Sequence, residues 1–369
     1  MVPGREMVSL VRLTILCLLA SQAVAQQSSD SSKKHWTLSA YAESFMVLST
    51  AGIKKGNISA FQYNHNRYGS PKLNHAYIDM EYRSSRIRMK TAVHTGTYVR
   101  DNYSAESKGL RHILNAYWGT LISKSKDIWI DAGIFPSFIG FESVNAFDNS
   151  TLTRSLLAEN SPYYLSGIRL NHPLPKDQQF NFFILTGWQR IMPLNGNSLP
   201  ALGLQWSRKF NPDHTLNWSF FAGSEFPDEQ RRMRYFNNFY WQGKKGAWRY
   251  TMGFDIGAEQ KSKNNNRYYH WWSPVLIATY AFNEQLKAAA RIEHYNDKAS
   301  VIVKPENGNR FVGSGYSLNL DYQPNAHLLL RVEWRKLRAS NQVFYAASGL
   351  ADRTGYLTFS ASYRLSKDL

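Results

Sequence analysis

Cysteine is almost missing from this chain: one of its 369 residues is a cysteine, Cys17. It falls inside residues 1–25, which carry Arg5 and Arg12, an apolar stretch from Leu13 to Ala20, and Ala23-Val24-Ala25 before Gln26. That order predicts a secretory signal peptide cut after Ala25. An uncleaved anchor is the alternative, but the apolar run is short for a spanning helix, and Leu16 is not the small residue expected ahead of a lipid-bearing cysteine. A mature chain without cysteine excludes disulfide staples and thiolate metal sites.

Long hydrophobic runs are missing as well. No segment after Ala25 reaches the roughly 18 apolar residues of a membrane helix, and the mean hydropathy is −0.44. With such a sequence only a closed barrel could span a bilayer, because there every backbone polar group must be paired internally. Removal of residues 1–25 leaves 344 of the 369; no linker, repeat or low-complexity stretch divides them, so one large domain is expected.

Catalytic signatures are also lacking: there is no G-x-S-x-G elbow, H-E-x-x-H pair, phosphate loop or dinucleotide fingerprint. The ten histidines are dispersed; His65 and His75 are close in sequence but lack ligand spacing, so no metal and no cofactor is expected. Outer-membrane hydrolases built from a Ser and a His on outward faces are the enzymatic alternative.

Acidic residues are outnumbered, 27 against 44 Lys and Arg. Without Arg5, Arg12 and Glu6 the counts are 42 and 26, a formal charge of +16. An excess of this size suggests an anionic partner. The cations are scattered singly among aromatics and not clustered along one stripe, which argues against nucleic acid. An anionic membrane surface or anionic solutes fit better.

What is present is alternation. In Trp248 to Gly257 the side chains of Trp248, Tyr250, Met252, Phe254 and Ile256 face one way and Arg249, Thr251, Gly253, Asp255 and Gly257 the other. Leu328 to Arg335, Leu286 to Glu293 and Tyr316 to Gln323 repeat the scheme, the signature of strands with one apolar and one polar face. Sixteen such segments begin near His35, Leu73, Arg86, Gly109, Asp127, Tyr163, Gln178, Leu199, His214, Met233, Ala247, Tyr268, Glu284, Phe311, His327 and Thr354. An even number suits a single-chain bacterial barrel.

Short turns such as Ser84-Ser85, Asn211-Pro212-Asp213 and Gln323-Pro324-Asn325 follow the even strands, and long loops such as Gly140 to Pro162 follow the odd ones. This places both termini and the short turns in the periplasm and eight long loops outside. The expected layout is a signal peptide over 1–25, a short periplasmic segment over 26–34, and a transmembrane antiparallel up-and-down β-barrel of about sixteen strands over 35–369, an all-β fold. Aromatics make up 14% of the chain. Trp36, Tyr98, Trp118, Trp129, Tyr163, Tyr164, Trp188, Tyr268, Tyr269, Trp271, Trp272 and Tyr363 fall near strand ends and read as interfacial girdles. A soluble β-sandwich is the alternative, but it should carry strands apolar on both faces, whereas here the second faces are charged.

Leu73-Asn74-His75-Ala76-Tyr77-Ile78-Asp79, Gly96-Thr97-Tyr98-Val99 and Asp131-Ala132-Gly133-Ile134-Phe135-Pro136-Ser137-Phe138-Ile139-Gly140-Phe141-Glu142-Ser143 carry a recognisable pattern. Leu152 to Tyr164 and Thr186-Gly187-Trp188-Gln189-Arg190 continue it. This stretch, about Leu73 to Arg190, resembles the OmpL-like family of β-barrel porins. The resemblance implies a bacterial outer-membrane barrel that acts as a porin. One departure is the chain end: many such barrels finish on an aromatic read by the barrel-assembly machinery, whereas here Tyr363 is followed by Arg364-Leu365-Ser366-Lys367-Asp368-Leu369.

A sixteen-strand barrel leaves a water-filled lumen unless something fills it. Gly140 to Pro162 is the candidate constriction loop, with Glu142, Asp148, Arg154 and Glu159 beside Leu152, Leu156 and Leu157 at helical spacing; packing on the rim is the alternative. The candidate pore-lining set is His75, Asp79, Glu81, Arg88, Lys90, Arg249, Asp255, Lys287, Arg291, Glu293, Arg331, Glu333 and Arg335, because rings of charge set solute selectivity. Each could instead pair across the wall and stiffen it. Seven cations against five carboxylates in that set suggest a mild anion preference.

The expected function is passive diffusion of small hydrophilic solutes, anions among them. A plugged barrel that binds or adheres through its loops is the rival. An energy-coupled receptor would need a plug domain ahead of the first strand, where only about ten residues are expected, and a cell-wall anchor would need a periplasmic domain. Expected partners are outer-membrane lipid, lipopolysaccharide phosphates met by basic loop residues, and the assembly machinery. An oligomer is possible, with no face marked for it.

Overall fold

In the computed structural model, which describes residues 34–53 and 56–369, the alternating segments form sixteen long antiparallel strands closed into a barrel. The predicted signal peptide, and the 26–34 segment up to residue 33, lie outside the described residues. In order the strands are β1 (His35–Ser49), β2 (Lys72–Arg83), β3 (Ile87–Thr95), β4 (Ile113–Ser123), β5 (Ile128–Pro136), β6 (Tyr164–Leu174), β7 (Gln178–Leu185) and β8 (Ala201–Asn211). They continue with β9 (His214–Ser224), β10 (Met233–Lys245), β11 (Trp248–Gln260), β12 (Tyr268–Ala281), β13 (Leu286–Asp297), β14 (Phe311–Tyr322), β15 (Leu328–Ala339) and β16 (Arg353–Asp368). Each pairs with the next, and β16 closes on β1 from Thr37↔Asp368 to Ser49↔Tyr356. Closure removes the unpaired edges that a bilayer would not tolerate.

The largest slip between expected and observed starts is β4, which begins at Ile113 and not near Gly109. Leu110–His112 form a 3-10 turn, held because the Arg111 Nε donates to the Glu106 carbonyl at 2.7 Å.

The two faces separate as period two requires. On β11, Met252, Phe254 and Ile256 are exposed while Thr251, Asp255 and Glu259 are buried; on β14, Leu318 and Leu320 are exposed while Ser317, Asn319 and Asp321 are buried. The apolar side thus faces outward, the inverse of a soluble barrel, which discards the sandwich alternative.

Eight longer loops follow the odd strands: loop 1 (50–71), loop 2 (96–112), loop 3 (137–163), loop 4 (186–200), loop 5 (225–232), loop 6 (261–267), loop 7 (298–310) and loop 8 (340–352). Turns after even strands use side chains in place of backbone partners: Asn283 Oδ1 accepts from the Gln285 and Leu286 amides, and Asn325 Oδ1 from those of His327 and Leu328.

Where β5 passes close to β4, glycine is required. Gly133 on β5 has φ +132, and a Cβ there would lie 2.1 Å from the Ala116 carbonyl oxygen. Gly133→Ala is expected to lower stability by roughly 1–3 kcal/mol, read as a lower urea midpoint for the barrel in lipid vesicles; an unchanged midpoint would show that β4 and β5 can shift apart.

Several aromatics assigned to the girdles turn inward instead. Trp118, Trp272 and Tyr363 are exposed outward, but Tyr98, Tyr163, Tyr164 and Trp271 are buried inside, Trp129 lies beneath Arg88, and Trp188 packs on Phe221 and Phe236. Tyr98, Tyr163 and Trp188 belong to loops folded over the lumen, and Trp271 has the inward parity of β12, so nearness to a strand end did not fix the side.

Candidate functional site: the filled lumen

Inward faces change character along the strands. On β15, Arg331, Glu333 and Arg335 give way to Leu337 and Ala339; on β1, Glu43 gives way to Phe45 and Val47; on β13, Arg291 and Glu293 give way to Tyr295. At the long-loop end these apolar positions join Phe135, Phe183, Phe221, Phe236, Trp271 and Phe311 from around the wall, and Ile58, Phe61, Phe138, Val303 and Phe344 from loops 1, 3, 7 and 8, in one buried cluster. Apolar side chains pointing into a wet lumen would gain nothing; packed against loop residues they are removed from water, at about 25 cal/mol per Å².

Loop 3 crosses this interior. Residues 151–165 are all buried. Being irregular, the loop cannot satisfy its own backbone, and buried amides and carbonyls must be paired; the wall supplies the partners. The Thr153 amide donates to Glu333 at 2.5 Å, Leu156 to Glu293 at 2.7 Å and Leu152 to Asn319 at 3.0 Å. Arg291 donates to the Thr153 carbonyl at 2.6 Å, Arg335 to that of Arg154 at 2.9 Å, and Arg331 to those of Ala146 and Asn149 at 3.0 and 2.9 Å. The same groups pair with each other: Arg291 with Glu333 at 2.8 Å, Arg335 with Glu293 at 2.7 Å and Arg331 with Asp321 at 2.7 Å. Pairing combined with hydrogen bonds to the loop backbone is what makes these buried charges tolerable.

The candidate constriction residues separate into different settings. Arg154 is fully buried and donates to the Leu152 carbonyl. Glu142 accepts from the Ser155 amide and hydroxyl, at 3.0 and 2.6 Å, and Ser155 in turn caps the short helix α2 (Leu156–Glu159); α1 (Thr97–Asn102) belongs to loop 2. Glu159 reaches across to loop 1, accepting from the Tyr63 amide at 2.7 Å and from Asn64 Nδ2 at 3.2 Å. Burial pushes its carboxyl up to about 7, against the opposing pull of those donors and of Arg335 and Arg154. Asp148 is exposed.

Every candidate pore-lining residue has inward parity, but the structure divides the set. His75, Asp79, Asp255, Arg291, Glu293, Arg331, Glu333 and Arg335 are buried; His75 stacks near Tyr98 and shares a 3.0 Å contact with His94, and Asp255 accepts from Asn238 at 2.6 Å. Glu81, Arg88, Lys90, Arg249 and Lys287 keep contact with solvent, all near short turns. They mark a vestibule at that end of the barrel. Lys90 bridges Asp79 and Glu81 at 3.2 and 3.1 Å.

Sequence reasoning missed the vestibule's strongest group. Asp131 is clamped by Arg88 at 2.6 Å and Arg169 at 2.8 Å, with Arg88 over the Trp129 ring and Arg169 over Phe135. Also missed was an amide ladder in which Asn171 donates to Asn181, Asn181 to Gln205 and Gln205 to Asn217 at 2.6–2.9 Å. Both sets lie at inward positions of their strands, so parity alone could have found them. Asp131→Asn is expected to move the reversal potential in a salt gradient toward anions, because two guanidiniums lose their shared carboxylate; movement toward cations would show that ions do not pass this clamp.

Among the described residues no group of His, Cys, Asp and Glu is arranged to hold a metal ion. The profile of the family described as "Putative beta-barrel porin-2, OmpL-like" matches residues 35–365. No curated protein sequence matches. Among solved structures, the chain is similar to OmpF of Salmonella typhi in complex with daunomycin, at 10% identity and TM-score 0.62, covering 89% of this chain and 97% of that one. It is similar to an anion-selective porin from Comamonas acidovorans, at 8% identity and TM-score 0.57, over 90% and 100%. It is also similar to the outer membrane channel DcaP of Acinetobacter baumannii, at 11% identity and TM-score 0.56, over 92% and 99%. At such identities these likenesses speak for the fold alone.

Proposed function

The chain belongs to the OmpL-like family of β-barrel porins, and on that premise we propose that it is an outer-membrane channel, not an enzyme, whose long loops face outward and whose termini and vestibule face the periplasm. It passes small hydrophilic solutes by passive diffusion, and loop 3 controls the passage. The observation that carries this reading is the course of loop 3, which crosses the lumen and joins loops 1, 7 and 8 in the cluster that fills the long-loop end of a barrel whose strand number would otherwise leave room for solutes. Since the outer lumen is packed, solutes pass when loop 3 yields, and conductance is expected as intermittent openings.

At the vestibule end Arg88, Lys90, Arg169, Arg249, Lys287 and Arg331 outnumber Asp79, Glu81, Asp131 and Asp321, which supports a mild preference for anions. Swelling of vesicles carrying the mature protein in neutral sugars of rising size tests the reading: swelling that falls with sugar size supports it, and no swelling with any sugar overturns it. The packed apolar cluster favours one rival, a plugged barrel that binds through its loops, and that rival predicts the second result.

A further inference from the structure

The lipid-facing wall carries a feature that solute passage does not use. On β15, the outward series Leu330, Val332 and Trp334 ends in Lys336 and Arg338. Arg338 stands directly opposite Arg353 of β16 on one side and Ser314 of β14 on the other, while Lys336 stands between Tyr316 and Gly355. Side chains directly opposite on one face sit about 5 Å apart at Cβ, and like charges there repel. Arg338 and Arg353 nevertheless remain extended into the surroundings, with side-chain exposures of 76% and 65%. The carboxylate of Asp352, 3.1 Å from Arg353 and 3.9 Å from Arg338, answers both guanidiniums with one charge.

The level of the cluster decides what it can meet. Tyr316 and Trp334 lie edge to face at 5.4 Å, and Trp272 lies 5.0 Å from His294, whose Nδ1 is 2.8 Å from Ser314 Oγ. Such outward aromatics mark the membrane interface. Two residues of strand rise about 6.8 Å, or about 5 Å along the normal at a tilt of about 40°. Lys336 therefore sits about one step, and Arg338 about two steps, beyond the Trp334 ring. Below the ring, Leu318, Leu320 and Leu330 are exposed to acyl chains.

We propose that this face of β14–β16 binds the phosphorylated sugar headgroup of an outer-leaflet glycolipid, with Arg338, Arg353 and Lys336 on the phosphate and the leucine rows against the acyl chains. The assignment rests on the reading that the long-loop end is external. Guanidinium forks match phosphate oxygens in pairs, and a phosphate between Arg338 and Arg353 adds the negative charge that Asp352 supplies only once to the pair.

The test uses the mature chain refolded in phosphatidylcholine nanodiscs, titrated with bisphosphorylated lipid A, with dephosphorylated lipid A, and with inorganic phosphate. Retained adducts are read by native mass spectrometry. The wild type is expected to hold bisphosphorylated lipid A at least about tenfold more tightly than the variant K336Q/R338Q/R353Q, to ignore the dephosphorylated form, and to be indifferent to inorganic phosphate. Arg338→Lys with Arg353→Lys, which keeps the charge, should retain part of the binding. Arg208→Gln, at the short-turn end over Phe210, should retain all of it. Equal binding by the triple variant, or equal binding of dephosphorylated lipid A, overturns the proposal. Capture of an acidic protein but not lipid A overturns it too. Folding of each variant is checked by heat-dependent gel mobility, and the Lys pair with single Arg353→Gln keeps the question decidable if the triple variant misfolds. Conductance of the same preparations separates failure of this proposal from failure of the porin reading.

Discussion

Glu333→Ala is expected to destabilise the barrel by about 3–5 kcal/mol and to lengthen its open periods. Glu333 is fully buried; one oxygen accepts from Arg291 at 2.8 Å, the other from the Thr153 amide at 2.5 Å. Removing it leaves the Thr153 amide without its acceptor and the Arg291 guanidinium, still bonded to the Thr153 carbonyl, without its closest carboxylate, in a site closed to water; the remaining carboxylate near Arg291, Glu293 at 3.5 Å, is already engaged by Arg335. The paired change Arg291→Met with Glu333→Leu should recover much of the lost stability, since apolar replacement of a buried pair is often neutral. It should not restore the grip on Thr153, so the longer openings should persist. Urea unfolding in lipid vesicles reads the first effect and channel recordings the second. If Glu333→Ala matched the wild type in both, loop 3 would not be anchored through this network.

The second large effect is a pH dependence carried by Glu159. Its carboxyl rises from 4.5 to about 7 because burial disfavours the charge. The folded protein therefore holds that proton more tightly than the unfolded chain does. The resulting stability is fully present below about pH 4.5 and is lost as pH rises through about 7. From the lower limit to about pH 8 the loss is about 3 kcal/mol, and it falls on the joint between loops 1 and 3, where Glu159 meets Tyr63 and Asn64. Glu159→Gln, which keeps an acceptor for both, should remove this part of the slope while other groups keep theirs. The check is the difference between wild-type and variant urea midpoints across that range; parallel curves would place the Glu159 titration elsewhere.

Much of the fold could be read from the sequence because a membrane barrel writes it in a two-residue code. Met252, Phe254 and Ile256 against Thr251 and Asp255 fixed both the strand and its sides, and turn formers such as Asn283 and Asn325 fixed where strands end. The inward direction of Arg291, Glu333 and Arg335 followed from parity. Their occupation did not: whether an inward charge meets water or a loop carbonyl depends on contacts between Thr153 and residues 138 and 180 positions away, which no local pattern encodes. A partial signal existed in the switch from Arg335 to Leu337 and Ala339, since an inner wall that turns apolar needs something to pack on. Tyr98 and Trp188 went to the wrong side because girdle and loop aromatics look alike when judged by position near a strand end alone.

Single-channel recording of the mature protein beside a variant in which residues 142–159 are replaced by a short Gly-Ser linker tests the central claim most directly. The account predicts brief openings for the wild type and steady nanosiemens-scale conductance for the shortened variant. Steady, equal conductance in both would show that loop 3 is not the barrier, and no conductance in either would contradict the channel itself.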